Sequence, residues 1–276
     1  DLHRRRHSFP TRRSSDLLFF VNLHDKSLYS IDITAYNSSG SKPTVADKTA
    51  TPIPDPKCKF GESRPFGTKV YRGKVYVGTI CDGSMPSSVM TLDNQRSNLK
   101  ASIFVYDTLA MSFDPIPVLT FPLTYPKGYP ASVLTKYTGW YAWTDVFNDL
   151  LPLSPPAACP DCFSYPTPIL ADIEFDTDGT MVIGFADRTA LQTGYRNYSD
   201  TPTDMSLYRN LVGGDVLRAF FSNNSFVLEN NAKAGPNVGF KQNNNQGPGF
   251  GEFYNDNYNN SAFPPHTEEF QGGLAI

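Results

Sequence analysis

Charge is scarce in this 276-residue sequence: Asp, Glu, Lys and Arg together make up only 18% of it. No apolar run approaches the ~20 residues that a membrane helix needs, so no bilayer-spanning segment is expected. Ala, Glu, Lys, Leu and Arg are too sparse for a coiled coil or a long helical bundle. Histidine is rarer still. Of four in the chain, His3 and His7 lie in the first 17 residues, leaving His24 and His266, so a Ser-His-Asp triad has few candidates for its base. Gly-x-Ser-x-Gly and His-Glu-x-x-His are absent. The one Gly-rich stretch, Gly247-Pro-Gly-Phe-Gly251, follows the asparagines 243–245 rather than a buried strand, which does not suit a phosphate loop. Catalysis therefore has little support, and no organic cofactor is implied.

Residues 1–17 (DLHRRRHSFPTRRSSDL) carry five Arg, two His and two Asp with no hydrophobic period. A basic arm for nucleic acid is one reading. A secretory signal is another, but the apolar region that should follow the positive charges is missing. The string HSFPTRRSSDL resembles translated sequencing-adaptor read-through, the reading adopted here, which makes the segment non-native or disordered. Without it, 19 basic and 25 acidic residues remain, and the net charge moves from −3 to −6. No basic stripe is left for nucleic acid. The rest, 18–276, reads as one domain. Because its last residues, Gly272-Gly-Leu-Ala-Ile276, stop in a strand-like stretch, truncation is expected at both ends.

With 23 Pro, 20 Gly, 15 Tyr and 20 Phe, the chain reads as strands joined by long, turn-rich loops. Five stretches alternate with period two about a turn, at residues 18–33, 69–80, 102–121, 169–185 and 215–229. They are of two kinds. In one, a turn Gly is followed five residues later by another, as in Gly73/Gly78 and Gly179/Gly184. In the other, an apolar strand crosses a small polar turn into a strand ending near an acid. The kinds alternate along the chain, and residues 272–276 are placed to open a further hairpin of the Gly type. One hairpin of each kind makes a four-stranded sheet, the unit of a β-propeller blade. The Gly pairs lie 106 residues apart, beyond the ~40–50 of ordinary blades, with the excess in loop insertions. A β-sandwich is the alternative, but its strands should recur every ~8–12 residues. An all-β, propeller-like fragment with an incomplete ring, and hence an open sheet edge, is expected.

An ordered series of motifs carries a likeness. Gly61-Glu-Ser-Arg-Pro-Phe-Gly67 precedes GKVYVGTIC, which ends at Cys81. Trp143-Thr-Asp145, Asp172-Ile-Glu-Phe-Asp176, Ile183-Gly-Phe-Ala-Asp-Arg188 and Gly194-Tyr-Arg-Asn197 follow. Gly214-Asp-Val-Leu-Arg218, Gly249-Phe-Gly-Glu-Phe-Tyr254 and Gly272-Gly-Leu-Ala275 complete it. The series resembles the N-terminal region of Bacteroidetes cell-surface proteins called SdrD B-like domain-containing. That resemblance implies a secreted or cell-surface, propeller-like module of undefined activity. The immunoglobulin-like repeats that give those proteins their label would follow this region and are absent here.

The four cysteines suit an oxidising compartment. A bridge from Cys58 to Cys81 would tie a loop to its strand and contribute ~3 kcal/mol. Cys159-Pro-Asp-Cys162 has redox and zinc spacing, yet it sits among prolines and lacks further ligands, so a local disulfide is favoured over either. Asp172, Glu174 and Asp176 alternate along a strand and can share a face, which invites calcium; a plain hairpin turn with Glu174 facing solvent is the simpler reading. His266 with Glu268, Glu269 and Asp256 is a weaker metal candidate.

The densest aromatic patch holds Trp140, Tyr141 and Trp143 beside Asp145, suited to stacking on a sugar and bonding its hydroxyls or to roofing a sheet. Asp187 and Arg188 end a strand at a sheet rim, near Tyr195 and Arg196, as ligand contacts or as a structural clamp. The function favoured is non-enzymatic recognition of a glycan or surface protein, in adhesion, outside the cell. The alternatives are a polysaccharide hydrolase or lyase working through Asp172, Glu174 or Asp187, and a purely structural spacer. The Asn-rich stretch from about 230 to 265 is expected to be a mobile or poorly packed loop.

Overall fold

The computed structural model describes residues 16–85, 92–131, 138–151, 157–256 and 272–275. The chain is mostly β, in several open sheets. Strands β1 (Leu17–Asn22), β2 (Ser27–Asp32) and β3 (Lys48–Pro52) form an antiparallel meander, with helix α1 (Thr34–Ser39) before β3. The second sheet runs β4 (Ser63–Tyr71), β5 (Lys74–Cys81), β6 (Lys100–Asp107) and β7 (Ser112–Phe113). Strand β8 (Leu119–Pro122) also pairs with β6, and the short helix α2 (Leu92–Gln95) precedes β6. Helix α3 (Phe147–Leu150) and strand β9 (Cys162–Phe163) lead into the third sheet. It contains β10 (Pro168–Phe175) and β11 (Met181–Asp187), which helix α4 (Arg188–Thr193) follows. Strands β12 (Tyr195–Asn197) and β13 (Tyr208–Asn210) branch off to pair with each other and with β9. The third sheet resumes with β14 (Asp215–Ser222) and β15 (Ser225–Leu228), in the order β10-β11-β14-β15. A small hairpin, β16 (Lys233–Ala234) and β17 (Asn237–Val238), comes last.

The three large sheets stack face to face. Leu28 of β2 packs on Val75, Val77 and Tyr106, which joins the first sheet to one face of the second. Ile80 and Ile103, from the other face, meet Leu170, Ile173, Ile183 and Phe185 of the third. Strand β5 thus lies between two sheets, which explains its near-continuous apolar run. Burying each such side chain is worth ~1.5–3 kcal/mol.

The second and third sheets repeat one plan in detail. The first strand of each carries a one-residue bulge, between Pro65 and Thr68 in β4 and between Leu170 and Asp172 in β10. A fully buried aspartate closes each second strand, Asp82 just past the end of β5 and Asp187 as the last residue of β11. Asp82 accepts from the backbone N–H of Glu62, and Asp187 from that of Thr167, the residues just before each first strand. Gly78 is required by contact rather than by turn geometry, because a Cβ there would stand 2.3 Å from Leu170 Cδ2.

Several details differ from the sequence reading. Strand β1 opens at Leu17, which is buried and paired with Asp32, one residue before the boundary drawn at 18. The hairpin at 18–33 gains β3 as a partner, although Lys48–Pro52 has no apolar alternation. Within the stretch expected to be a loose loop, residues 230–256 are tied by backbone bonds, such as Asn231 N–H to the Pro248 carbonyl, and bury Ala232, Ala234 and Glu252, while 257–265 lie outside the described residues. Residues 272–275 form no strand; Gly272 instead packs on Ala171 and Ala186. Among the described residues no helix is long and apolar enough to cross a membrane.

Candidate functional site

The aromatic patch divides between core and surface. Trp140 is fully buried, its Nε1 donating to Tyr125 Oη at 3.3 Å and Lys127 Nζ lying 4.8 Å from its ring centre. Tyr141 is 6% exposed, with the Tyr165 ring on it and the Arg96 guanidinium 4.7 Å from its centre. Neither ring offers a face to a ligand; of the two readings of this patch, Trp140 and Tyr141 follow the one in which the rings roof a sheet rather than stack on a sugar. Trp143 differs. It is half-buried, its Nε1 donates to the Pro168 carbonyl at 3.0 Å, and both Arg64 and Arg188 pack over its ring, at 5.0 and 4.3 Å from the centre.

Around Trp143 lies a cleft of about 400 Å³ at the rim of the stacked sheets. The β1–β2 turn supplies Leu23; β4 supplies Arg64, Pro65 and Phe66; β5 supplies Ile80; β10 supplies Ile169; and α4 supplies Arg188, Leu191 and Gln192. The β4 bulge sets Phe66 44% exposed at the cleft wall. Arg64 is held by its Nε donating to buried Asp82 at 2.7 Å, with Glu62 3.6 Å from Nη1 and Lys26 bonded to Glu62 behind it. Arg188 Nη2 donates to Asp145 at 3.2 Å, and the Asp145 carboxylate is 95% exposed. Trp143 and Asp145 of the aromatic patch thus meet Arg188, which the sequence had grouped instead with Asp187, Tyr195 and Arg196. Arg64 is the contact that sequence reasoning did not assign, although its Arg-Pro-Phe-Gly string stood out.

Asp187 serves the fold instead. One carboxylate oxygen accepts from the backbone N–H groups of Thr167 and Ala190 at 3.1 and 3.3 Å, the other from Gly213 at 3.3 Å. It caps α4 and clamps the start of β10. Burial pushes its carboxyl up to about 7. Tyr195 and Arg196 lie exposed in β12, Tyr195 under the Arg209 guanidinium, and neither lines the cleft.

The acidic run does not assemble a cation site. Asp172 accepts from the backbone N–H groups of Ile173 and Leu274. Glu174 pairs with Lys69 at 2.5 Å and Asp176 with Arg218 at 2.9 Å. Three carboxylates with three sets of partners correct the calcium expectation. Among the described residues, the only three potential ligands within 4.8 Å of one another are Cys159, Asp161 and Cys162. Both sulfurs there are already joined as a disulfide, and Cys58 is bonded to Cys81. His266, Glu268 and Glu269 lie outside the described residues, while Asp256 accepts from Val216 N–H.

A second polar centre is built from acids that lie in the likeness motifs or end the 215–229 stretch but were given no role there. Asp215, Glu229 and Glu252 are all buried near β14, with the 1%-exposed Lys127 beside them. Tyr125 Oη donates to Asp215 at 2.5 Å, and Glu229 accepts from the Arg218 and Phe253 N–H groups. Burial raises all three carboxyls, Glu252 to about 7. Asp215 opens β14, Glu229 follows β15 and Glu252 lies beyond β17, so their meeting depends on tertiary packing.

No family model matches the chain, and no solved structure does. It is similar to two proteins of Dictyostelium discoideum. It is 26% identical to Colossin-A over 223 residues, which is 77% of this chain and 2% of that protein. It is 28% identical to Colossin-B over 214 residues, 71% of this chain and 5% of that protein. The chain thus spans a small part of the length of either relative.

Proposed function

We propose that the chain is a non-enzymatic recognition module, working at the cell surface or outside the cell, that captures a ligand in the rim cleft. The observation that carries this reading is the cleft around Trp143, where an indole and two guanidinium groups stand in a wall of exposed apolar side chains. Trp and Arg are the side chains most often found to dominate binding energy at interfaces. Two disulfides suit an oxidising environment. The similarity to segments of much longer proteins, and the likeness to surface proteins of Bacteroidetes, fit a module within a larger assembly. Stacked sheets that repeat a bulge and a buried aspartate favour the propeller architecture over a simple sandwich. A glycoside hydrolase works through two carboxylates facing one cleft; no Asp or Glu lines this one, and Asp172, Glu174 and Asp187 bond to separate partners elsewhere.

The test is to present the folded 276-residue chain to glycan and peptide arrays. Binding that is lost in Trp143→Ala, with the thermal unfolding midpoint retained, is the expected result. Binding that survives Trp143→Ala unchanged would overturn the assignment of the cleft.

A further inference from the structure

Resting on the cleft as a recognition site, we infer that its ligand is a peptide segment carrying a carboxylate between apolar side chains, and that Asp145 stands in for that carboxylate in the free protein. The polar side chains lining the cleft are two arginines and Gln192, and the rest are apolar. Guanidinium groups only donate hydrogen bonds, and Gln192 alone brings a side-chain acceptor. A neutral sugar presents hydroxyls that both donate and accept, so this lining leaves most of its donors unmet. A carboxylate only accepts, and it matches a guanidinium in both charge and shape.

Donors remain for it. A guanidinium carries five N–H groups; Arg64 commits one to Asp82, and Arg188 commits one to Asp145 and a long one to the Thr144 carbonyl. The countercharges are unequal. Asp82 is fully buried and locked to Arg64, whereas the Asp145 side chain is 95% exposed. The Arg188 side chain is itself 17% exposed, so the pair opens to water on its Asp145 side, where it is weak and an incoming acid can take the place of Asp145. Arg188 is therefore the arginine available to a ligand, and Arg64 holds the indole in place. The apolar half of the ligand meets Phe66, Leu191 and Leu23, which are 44%, 60% and 54% exposed. Unlike a sugar, a peptide supplies hydrophobic side chains to match them.

The probe is acetyl-Gly-Leu-Asp-Phe-Gly-amide, titrated while tryptophan fluorescence is followed, with Trp143→Phe as the blank. Comparators are its Asn analogue, acetyl-Gly-Leu-Phe with a free C-terminus, and a glucuronate tetrasaccharide. The Asp peptide should bind about tenfold more tightly than the Asn analogue. Arg188→Gln should remove that preference, and Arg188→Lys, which keeps the charge but not the fork, should recover part of it. Asp145→Asn should tighten the Asp peptide by about two- to fivefold and leave the Asn analogue alone. Preference for the free C-terminus would place the same carboxylate chemistry at a chain end, and also supports the inference. Equal binding of the Asp and Asn peptides overturns the carboxylate claim while leaving recognition intact. Binding of the tetrasaccharide alone overturns the peptide claim. An unchanged affinity in Asp145→Asn removes its role as a stand-in. If no probe, and nothing on the arrays, perturbs Trp143, both the inference and the recognition reading fall.

Discussion

Replacing Asp187 with alanine removes the acceptor for three buried backbone N–H groups at once, those of Thr167, Ala190 and Gly213. Each buried donor left without a partner costs ~1–3 kcal/mol, so Asp187→Ala should destabilise the fold by at least ~3 kcal/mol. Asp187→Asn is a finer probe. The oxygen that serves Thr167 and Ala190 is kept, and only the position facing Gly213 changes from acceptor to donor. That variant should lose about 1–3 kcal/mol, the cost of a single bond. The assay is urea unfolding followed by circular dichroism at about pH 8, above the raised pKa of about 7, where the carboxyl is ionised and both of its oxygens accept. Thermal midpoints should fall by roughly 6–12 °C for alanine and a third of that for asparagine. Asp187→Asn, which keeps the oxygen that caps α4, should still bind any ligand of the cleft, because Asp187 does not line it. Equal stability losses for the two, or loss of binding with stability retained, would refute the clamp.

The other expectations follow from the same contacts. Trp140→Ala empties a fully buried site and should cost ~3–5 kcal/mol in chemical unfolding, whereas Trp143→Ala should cost clearly less. Burial raises the carboxyls of Asp187, Asp215, Glu229 and Glu252, so in the folded chain each keeps its proton to higher pH than when unfolded. Their contribution to stability is complete below the unfolded carboxylate pKa of ~4 and is lost as pH climbs through the folded values. The urea midpoint should therefore fall between about pH 5.5 and about pH 8; a rise would contradict the burial of these groups. Cys58→Ser with Cys81→Ser opens a link spanning 23 positions and should cost ~3 kcal/mol by the same assay. Gly78→Ala drives a methyl into Leu170 and should cost ~1–3 kcal/mol; a neutral result would show that the sheets are not that close.

Much of the architecture was legible because a strand between two sheets leaves a period and a composition. All five hairpin stretches carry strands at the expected places, and the Gly73 and Gly179 turns fall between β4 and β5 and between β10 and β11. Strand β3 was not legible, because Lys48–Pro52 is mostly exposed and owes its form to pairing with β2 rather than to burial. Asp82 was missed although it follows Gly78 by four positions much as Asp187 follows Gly184 by three. The aspartates matched in role but not in spacing. Trp140 and Trp143 look equivalent in sequence, and only the core around Phe185 separates a buried ring from a rim one. The backbone bonds and left-handed turns of the Asn-rich stretch after 230, as at Asn231 and Asn243, were not legible because they leave no hydrophobic pattern.

The cleft around Trp143 is the central claim, and the chain has only two tryptophans with which to test it. Their indole N–H groups should give two resolved proton resonances in a nitrogen-labelled sample, assigned with Trp143→Phe. Titration with a ligand selected on the arrays should shift the Trp143 resonance and leave the buried Trp140 in place. A shift of Trp140 alone, or of neither resonance with the ligand demonstrably bound, would contradict the account.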